Sequence, residues 1–425
     1  MDSTRDRGSM VPLANWSGNY RYRASAIHAP GSVEELQELV SAAARVRVLG
    51  SRHSFTAIAD SDELVTLEHI GSDIEIDTAA RTASVGGAVR YDRLIAELDR
   101  GGLALANLAS LPHIAVAGAI STGTHGSGDR SGNLATSVKA LEIVTSDGNL
   151  VEFARGDPEF EGAVVGLGAL GAIVRVKLDL IPAYEIRQQA FTGLAWERLF
   201  EHFDAITASG YSVSVFTSWG ESTEQVWVKR LASDEPPELA ELFGAPAATT
   251  EMHPIIGLDP VHCTPQLALA GPWSERLPHF RTGFTPSSGD EIQSEYLLAR
   301  EHALPAIEAV LRIGAKLEPL ILVSEIRTVA ADRLWMSPQY GQDTVAIHFT
   351  WKPQQELVER ALVDVESALA PFAPRPHWGK LFLAGAGTIG PLYERLGDFV
   401  ALLDRVDPRG AFRNEWLAER VLGGE

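Results

Sequence analysis

The sequence is poor in cysteine, since Cys263 is the single cysteine among 425 residues. One thiol excludes an intramolecular disulfide, and it excludes any zinc or iron–sulfur site that needs several thiolates. We therefore predict no metal centre and expect a protein of the reducing cytoplasm.

Positive charge and long apolar runs are also scarce. The 36 Lys and Arg residues stand against 56 Asp and Glu residues, which gives a formal net charge of −20. A surface this acidic repels phosphate backbones and anionic lipid. No stretch of the sequence approaches the roughly 20 apolar residues that cross a bilayer. We therefore expect neither nucleic acid nor a membrane as a partner.

The chain does contain the material for a large buried core. Hydrophobic residues make up 45% of it and charged residues 22%, which is ordinary for a globular protein. This length allows two or three domains, and the mixed order of predicted helices and strands is typical of an α+β fold.

The N-terminal part is predicted to combine helices with strands. Ser32 and Glu35 form a capping-box pattern at the start of an amphipathic helix that ends near residue 44. Residues 45–49 then form a short strand that leads into Gly50. Further strands are predicted over residues 82–86, 139–145, 150–153 and 172–180, and helices over 90–100 and 157–165.

The pattern changes beyond Pro182. Residues 233–291 are rich in proline and show little periodicity, which is typical of a functional loop region or packed surface coil. The C-terminal segment is expected to return to the first domain. On either side of the irregular region, strands are predicted over residues 212–217, 225–229, 321–329 and 345–351, and helices over 356–370 and 393–406.

Residues 166–171 match the G-x-G-x-x-G pattern of dinucleotide-binding loops. Such a loop works only when a strand precedes it and a helix follows, because the helix N-terminus then faces the pyrophosphate. Here a predicted helix precedes the glycines and a predicted strand follows them. We therefore interpret these glycines as positions of close backbone approach, and a nicotinamide-dependent dehydrogenase is kept as an alternative.

Two loops rich in glycine, hydroxyl groups and histidine are better candidates for a ligand with two phosphates. Residues 50–55 follow a strand, and successive backbone N–H groups in such a loop form a concave anion site. The hydroxyls of Ser51 and Ser54 can add donors to that site. Residues 118–128 form the second loop, and each loop contains one histidine, His53 in the first and His125 in the second.

Five segments in this order resemble the vanillyl-alcohol-oxidase-type flavoproteins and, within them, the alditol (xylitol) oxidases. The segments are GSRHS, ASLPHIAVAGAISTGTHGSG, SEIRTV, IHFTWK and HWGK, and the resemblance covers essentially the whole chain. It implies a two-domain fold in which residues 1–184 and a returning C-terminal segment, residues 381–425, bind FAD. Residues 185–380 would form an inserted substrate domain with a mainly antiparallel sheet.

The resemblance also implies which residues hold the cofactor. His53 would carry FAD covalently through the flavin 8α-methyl group, for which a neutral imidazole is a competent nucleophile. The alternative for His53 is a hydrogen bond to its own loop, and for His125 it is a loop-bracing role. Ala109, next to Ser110 at the reactive edge of the flavin, would leave room for dioxygen. The other residues implied to contact FAD are Gly50, Ser51, Arg52, Ser54, Gly118, Ser121, Thr122, Gly123 and Ile173.

Two predicted strands carry polar residues on one face. Glu325 and Arg327 are two residues apart, and so are His348 and Thr350, so that each pair leaves its strand on the same side. The alternative interpretation is a solvated sheet face with an ordinary Glu–Arg pair. By the resemblance, Lys380 would join this group from near the domain junction, where ligand sites are common.

These groups suit a polyol, since each hydroxyl both donates and accepts hydrogen bonds. The resemblance implies oxidation of the terminal primary alcohol of alditols such as xylitol or sorbitol to the aldose. The hydride would pass to flavin N5, and O₂ would be reduced to H₂O₂.

The resemblance also implies a role for each polar residue. Arg327 and Lys380 would bind the C1 oxygen. Either Lys380 or His348 would accept the proton. The remaining hydroxyls would contact Ser110, Glu325, His348 and Thr350.

Two further alternatives stay open on the sequence alone. One is an aldonolactone oxidase of the same fold, acting on gulono- or galactono-lactone, and the other is a non-catalytic sugar-binding protein. Whichever function applies, we expect the protein to be a monomer.

Overall fold

The computed structural model describes residues 13–284 and 291–424. Within these residues, helices alternate with largely antiparallel sheets, so that the predicted α+β class is confirmed. No helix in the described part of the chain is both long and apolar enough to cross a membrane.

A small parallel sheet leads the chain into the first glycine-rich loop. Its strands lie in the order Ala26–His28, Glu63–Val65 and Val46–Val48. The predicted helix is present as Val33–Ala42, and the Ser32 hydroxyl caps it by accepting a hydrogen bond from the Glu35 amide at 3.2 Å. Because Val46–Val48 ends two residues before Gly50, the loop begins at the end of this sheet.

A five-stranded antiparallel sheet follows in the N-terminal half. Its strands lie in the order Ile74–Asp77, Thr82–Gly86, Ala172–Asp179, Val138–Val144 and Leu150–Ala154. The strands predicted over residues 139–145 and 150–153 are present and pair as a hairpin, and its turn contains Gly148 with a φ of 82°. The helices of this half are Tyr91–Arg100, Val116–Ser121 and Phe160–Val164.

The glycine motif at residues 166–171 lies between the helix Phe160–Val164 and the strand Ala172–Asp179. The predicted order, with the helix first, is therefore confirmed. Gly171 has a φ of 144°, and a Cβ at this position would overlap the carbonyl oxygen of Val144. Close backbone contact, rather than the dinucleotide turn, accounts for this glycine.

An eight-stranded antiparallel sheet dominates the rest of the chain. Helices Trp196–Thr207 and Ala303–Leu317 contact its strands, and helix Gln355–Leu369 packs on Ala303–Leu317. Residues 233–284 contain only short elements, in agreement with the predicted irregular region. The strands lie in the order Gly271–Pro272, Glu185–Thr192, Gln225–Leu231, Ser212–Thr217, Ile321–Val329, Thr344–Trp351, Ile292–Ala299 and Arg375–Pro376.

The C-terminal segment, with helices Leu396–Val406 and Glu415–Leu417, packs on the N-terminal region. The Arg47 guanidinium donates to the carbonyl oxygens of Phe412 at 2.7 Å and Leu167 at 2.6 Å. The Asn414 amide donates to the carbonyl oxygen of Asp60 at 2.8 Å. The bonds to Phe412 and from Asn414 join the C-terminal segment to the N-terminal region, whereas the domain boundaries after residues 184 and 380 remain a prediction.

Candidate active site

One cavity of about 640 Å³ extends from the two glycine-rich loops to the large sheet. Gly123 does not line it, because the helix Val116–Ser121 ends just before and the chain turns there with a φ of 64°, toward Pro338. The predicted residues that do line the cavity are Gly50, Ser51, Arg52, His53, Ser54, Ala109, Ser110, Gly118, Ser121, Thr122, His125, Ile173, Glu325, Arg327, His348, Thr350 and Lys380.

His53 lies in the wall of the cavity with its ring enclosed by other rings. Trp16 stacks on it at 5.2 Å between centroids, and the ring of His113 lies 4.9 Å away. Both ring nitrogens are buried, and neither has a hydrogen-bond partner of good geometry among the described residues. Burial, with a smaller effect of His113, lowers the pKa of His53 to about 3. The imidazole is therefore neutral at physiological pH and keeps a nitrogen lone pair.

The first loop is held in place from three sides. The Phe55 amide donates to the Gly379 carbonyl oxygen at 2.9 Å, and the Asn15 amide donates to the Ser54 carbonyl oxygen at 2.9 Å. The Ser51 hydroxyl accepts a hydrogen bond from the Ala115 amide at 3.0 Å, which connects this loop to the start of the helix Val116–Ser121 that leads into the second loop. The two loops therefore form one wall of small residues, as a long cofactor with a central pyrophosphate requires.

The prediction of a loop over residues 118–128 is wrong for residues 118–121, which end the helix Val116–Ser121. The hydroxyls of Ser121 and Thr122 donate to carbonyl oxygens of their own helix, at 2.7 Å to Ala117 and 3.1 Å to Gly118. His125 is buried, with Nδ1 2.8 Å from the Gly126 carbonyl oxygen and Nε2 3.4 Å from a Glu295 carboxylate oxygen. His125 thus combines the loop-bracing contact with a position beside the large sheet.

The large sheet brings the four predicted polar residues together. Strands Ile321–Val329 and Thr344–Trp351 are neighbours, with Glu325 opposite His348 in the register. Only 5–6% of the surface of Glu325, Arg327, His348 and Thr350 is exposed. The alternative of a solvated sheet face is therefore wrong, because the segments that contain His279 and Lys380 cover this face.

The most connected acidic group, Glu295, is absent from the sequence prediction. It lies on strand Ile292–Ala299, opposite His348, and its side chain is fully buried. One carboxylate oxygen accepts from the Arg327 guanidinium, and the other accepts from Lys380 Nζ at 2.6 Å. Gln293 and Glu295 repeat the two-residue spacing seen at Glu325 and Arg327, and this is the sequence signal that could have revealed the strand.

Charge in this cluster is set by burial and by close pairing. Burial lowers the pKa of Lys380, and Arg327 lowers it further, whereas Glu295 opposes both effects. Burial alone would raise the pKa of Glu295, but Arg327 and Lys380 hold it well below its usual range. The pKa of His348 is lowered well below its usual value by burial and then by Lys380. The cluster therefore contains a carboxylate between two cations and a neutral imidazole.

His348 is held in one tautomer by its two neighbours. Lys380 Nζ donates to Nδ1 at 2.8 Å, so that the ring proton resides on Nε2 and can be donated to the Thr350 hydroxyl at 3.0 Å. Glu295 and His348 use two of the three N–H groups of Lys380. Among the residues that the structure describes, the third has no acceptor, and it can point into the cavity, where a substrate oxygen could accept it.

A metal ion does not suit the most ligand-like group of described residues. His125, Glu295 and His377 present ligand atoms within 4.8 Å of one another. Both oxygens of Glu295 already accept from cationic side chains, and a divalent ion beside Arg327 and Lys380 would face strong repulsion. We therefore interpret Glu295 as a counter-ion for side chains.

Comparison with known proteins agrees with this geometry. The FAD binding domain family matches residues 24–154, and the D-arabinono-1,4-lactone oxidase family matches residues 291–420. A crystal structure of cholesterol oxidase from Brevibacterium sterolicum has the same fold, with a TM-score of 0.77 at 15% identity and 96% coverage of both chains. The fold and the cavity define a two-domain FAD-binding oxidoreductase.

Full-length relatives narrow this class. The chain is 46% identical over 416 residues to the alditol oxidase of Streptomyces sp. (strain IKD472 / FERM P-14339), covering 97% of this chain and 99% of that protein. The L-gulono-1,4-lactone dehydrogenase of Mycobacterium tuberculosis (strain ATCC 25618 / H37Rv) is 29% identical over 445 residues, 97% of this chain and 100% of that protein. The protein belongs to the alditol oxidase family, and the resemblance seen in its motifs is confirmed.

Proposed function

We propose that this protein is an FAD-dependent oxidase that converts the terminal primary alcohol of alditols to the aldose. The observation that carries the proposal is the buried polar cluster at one end of the cavity. Glu325, Arg327, His348, Thr350 and Lys380 all line it, and each can pair with a hydroxyl group. Such a site favours a polyol, because a substrate without these hydroxyls would leave buried polar groups unpaired.

The two cations provide the site for the reacting oxygen. Arg327 and Lys380 converge on Glu295, and a C1 oxygen placed beside them would be stabilised as it becomes negatively charged. FAD supplies the hydride acceptor, and O₂ reoxidises it with release of H₂O₂. Glu325 accepts a hydrogen bond from the next hydroxyl of the alditol, while Ser110 and Thr350 bind hydroxyls further along the alditol.

The proton of the reacting hydroxyl has a short route through the cluster. Lys380 Nζ lies 2.8 Å from His348 Nδ1. Lys380 can therefore pass a proton to His348 as it takes one from the substrate oxygen, so that Lys380 keeps its charge and His348 gains the proton. Glu295 lies 3.9 Å from the same imidazole nitrogen and would stabilise the imidazolium.

Covalent attachment of FAD at His53 is part of the proposal. Support comes from its position in the cavity wall, the burial of both ring nitrogens, and its pKa of about 3. A neutral imidazole is the form that can attack the 8α carbon. The single cysteine, Cys263, is buried outside both loops, so only one covalent link is proposed.

Three further assignments belong to the proposal. Residues 1–184 and 381–425 form the FAD domain and residues 185–380 the substrate domain. The enzyme is proposed to be a monomer of the cytoplasm, which agrees with its single buried cysteine.

A peroxide assay with paired substrates tests the substrate class. We expect xylitol or sorbitol to give H₂O₂ with a kcat/KM at least tenfold above that of L-gulono- or D-arabinono-1,4-lactone. The lactone oxidase reading has support from the family match over residues 291–420. Turnover of lactones alone would favour that reading and reject ours.

A further inference from the structure

A buried lysine lies behind the active site without a carboxylate partner of its own. Lys229, on strand Gln225–Leu231, is 1% exposed. Its amino group donates to the carbonyl oxygens of Leu277 and of Pro278, the latter at 3.2 Å, and lies 3.3 Å from His279 Nδ1. Among the described residues, no Asp or Glu oxygen comes within ion-pair distance of it. Burying an amine this deeply costs free energy unless the amine is hydrogen-bonded, as Lys229 is.

The lysine determines the tautomer of His279. Because Lys229 donates to Nδ1, the proton of the neutral ring resides on Nε2. That nitrogen lies 2.9 Å from a carboxylate oxygen of Glu325, to which it donates. Burial, reinforced by Lys229, lowers the pKa of His279 to about 4, so the ring is neutral near pH 7. The three side chains therefore form one hydrogen-bonded chain that ends at Glu325.

The backbone of His279 is also fixed. Its carbonyl oxygen accepts from the Thr264 amide at 2.9 Å, and its amide donates to the Ser110 carbonyl oxygen at 3.3 Å. His279 thus connects Glu325 on the large sheet with Ser110 on the opposite wall of the cavity. A change of the His279 side chain would therefore act on Glu325, because the bond to Ser110 is made by the backbone and would be kept.

One carboxylate oxygen of Glu325 therefore accepts from His279, and the other can accept a hydrogen bond from a ligand. His279 occupies Oε1, while Oε2 is 3.5 Å from Arg327 Nε. Without the bond to His279, the carboxylate could rotate toward Arg327 and form a closer ion pair. That rotation would remove an acceptor from the cavity and draw the guanidinium away from the reacting oxygen.

We propose that Lys229 and His279 are positioning residues that hold the Glu325 carboxylate in the orientation that binds a substrate hydroxyl. They act through Glu325. The proposal rests on the proposed function, since it concerns the acceptor for the alditol hydroxyl beside the reacting carbon.

Steady-state kinetics with xylitol separate this role from a merely structural one. Lys229→Met and His279→Leu should raise KM at least tenfold and lower kcat less, because the acceptor is misplaced before reaction begins. His279→Gln should recover most of the loss, since its amide can donate to Glu325. His202→Leu, a partly exposed histidine outside the cavity, is the matched control and should leave both constants unchanged.

A double-mutant cycle decides whether the effect passes through Glu325. If it does, adding His279→Leu to Glu325→Gln should raise KM less than twofold beyond the single Glu325 variant. Thermal unfolding and visible flavin absorbance identify variants that fail to fold. If His279→Leu is one of them, His279→Gln takes its place in the cycle. Fully additive effects, or an unchanged KM in Lys229→Met and His279→Leu, would overturn the proposal. Parent enzyme that does not oxidise xylitol at all would reject the proposed function and this inference with it.

Discussion

Replacing Glu295 by glutamine tests the electrostatic design of the site. The carboxylate is fully buried and bridges Arg327 and Lys380, the latter at 2.6 Å. Removing one partner of a buried ion pair costs about 3–5 kcal/mol, because the remaining charge is left unpaired in a medium that solvates it poorly. Glutamine keeps the shape and removes the charge, so this cost is the expected loss of stability near pH 7.

The loss should depend on pH in a defined direction. Burial and Arg327 already lower the pKa of Lys380, and Glu295 is the group that opposes them. In Glu295→Gln the native amine should therefore lose its proton at a lower pH, while the unfolded amine keeps an ordinary pKa. The unfolded state then binds more protons than the native state, so the stability of the variant rises with pH. Its deficit against the parent should shrink between pH 7 and pH 9.

Anaerobic stopped-flow mixing with xylitol measures the effect on chemistry. A neutral Lys380 stabilises the developing alkoxide less well, and loss of one such interaction typically slows reaction by about 10²–10³-fold. Glu366→Gln is the matched control, because Glu366 accepts from the Tyr296 hydroxyl at 2.8 Å outside the cavity, and no Lys or Arg among the described residues lies within ion-pair distance of it. If Glu295→Gln unfolds in urea like that control and reduces the flavin at the parent rate, the electrostatic reasoning is refuted.

Three further predictions concern the cofactor and the reacting atoms. His53→Ala should release its flavin on acid precipitation while the parent precipitate stays yellow; flavin retained by the variant would place the bond elsewhere. Lys380→Met and Arg327→Met should each slow flavin reduction at least a hundredfold with the visible spectrum preserved, and near-normal turnover in both would remove them from the mechanism. Ala109→Leu should slow reoxidation by O₂ more than reduction by xylitol, measured as separate half-reactions; equal effects on both would show that this small residue does not control oxygen access.

The sequence was sufficient to predict the paired polar residues on the large sheet. Two pairs, Glu325 with Arg327 and His348 with Thr350, lie on runs of β-branched and aromatic residues. On such a strand the two-residue period determines which side chains share a face. The structure shows that these strands are neighbours. The motif resemblance supplied the expectation that Lys380 joins them, and the cavity contains it.

The spacing of Gln293 and Glu295 could have indicated a strand but not its neighbours, because the sheet order is not sequential. This strand, Ile292–Ala299, follows a long irregular region in sequence but pairs with Thr344–Trp351 in space. Both faces of the strand are covered, so its residues are nearly all buried and the alternation of polar and apolar residues is weak. Only the three-dimensional pairing brings the Glu295 carboxylate between the two cations.

His279 and Lys229 were hidden for a different physical reason. His279 lies in proline-rich chain without a helical or strand period, so local pattern carries no information about where its ring points. Lys229 resembles an ordinary lysine near the end of a strand, yet it is buried because the segment with Leu277 and Pro278 crosses over it. Tertiary packing alone determines both positions.

The central claim is that bound FAD is reduced directly by an alditol in this cavity. The most direct measurement mixes the purified protein with xylitol in the absence of oxygen and follows the visible flavin absorbance, then admits air and measures peroxide. We predict that xylitol bleaches the flavin, that air restores the colour, and that one H₂O₂ forms for each flavin reoxidised. A flavin that stays oxidised with xylitol and sorbitol, or that is bleached by an aldonolactone alone, would contradict the account.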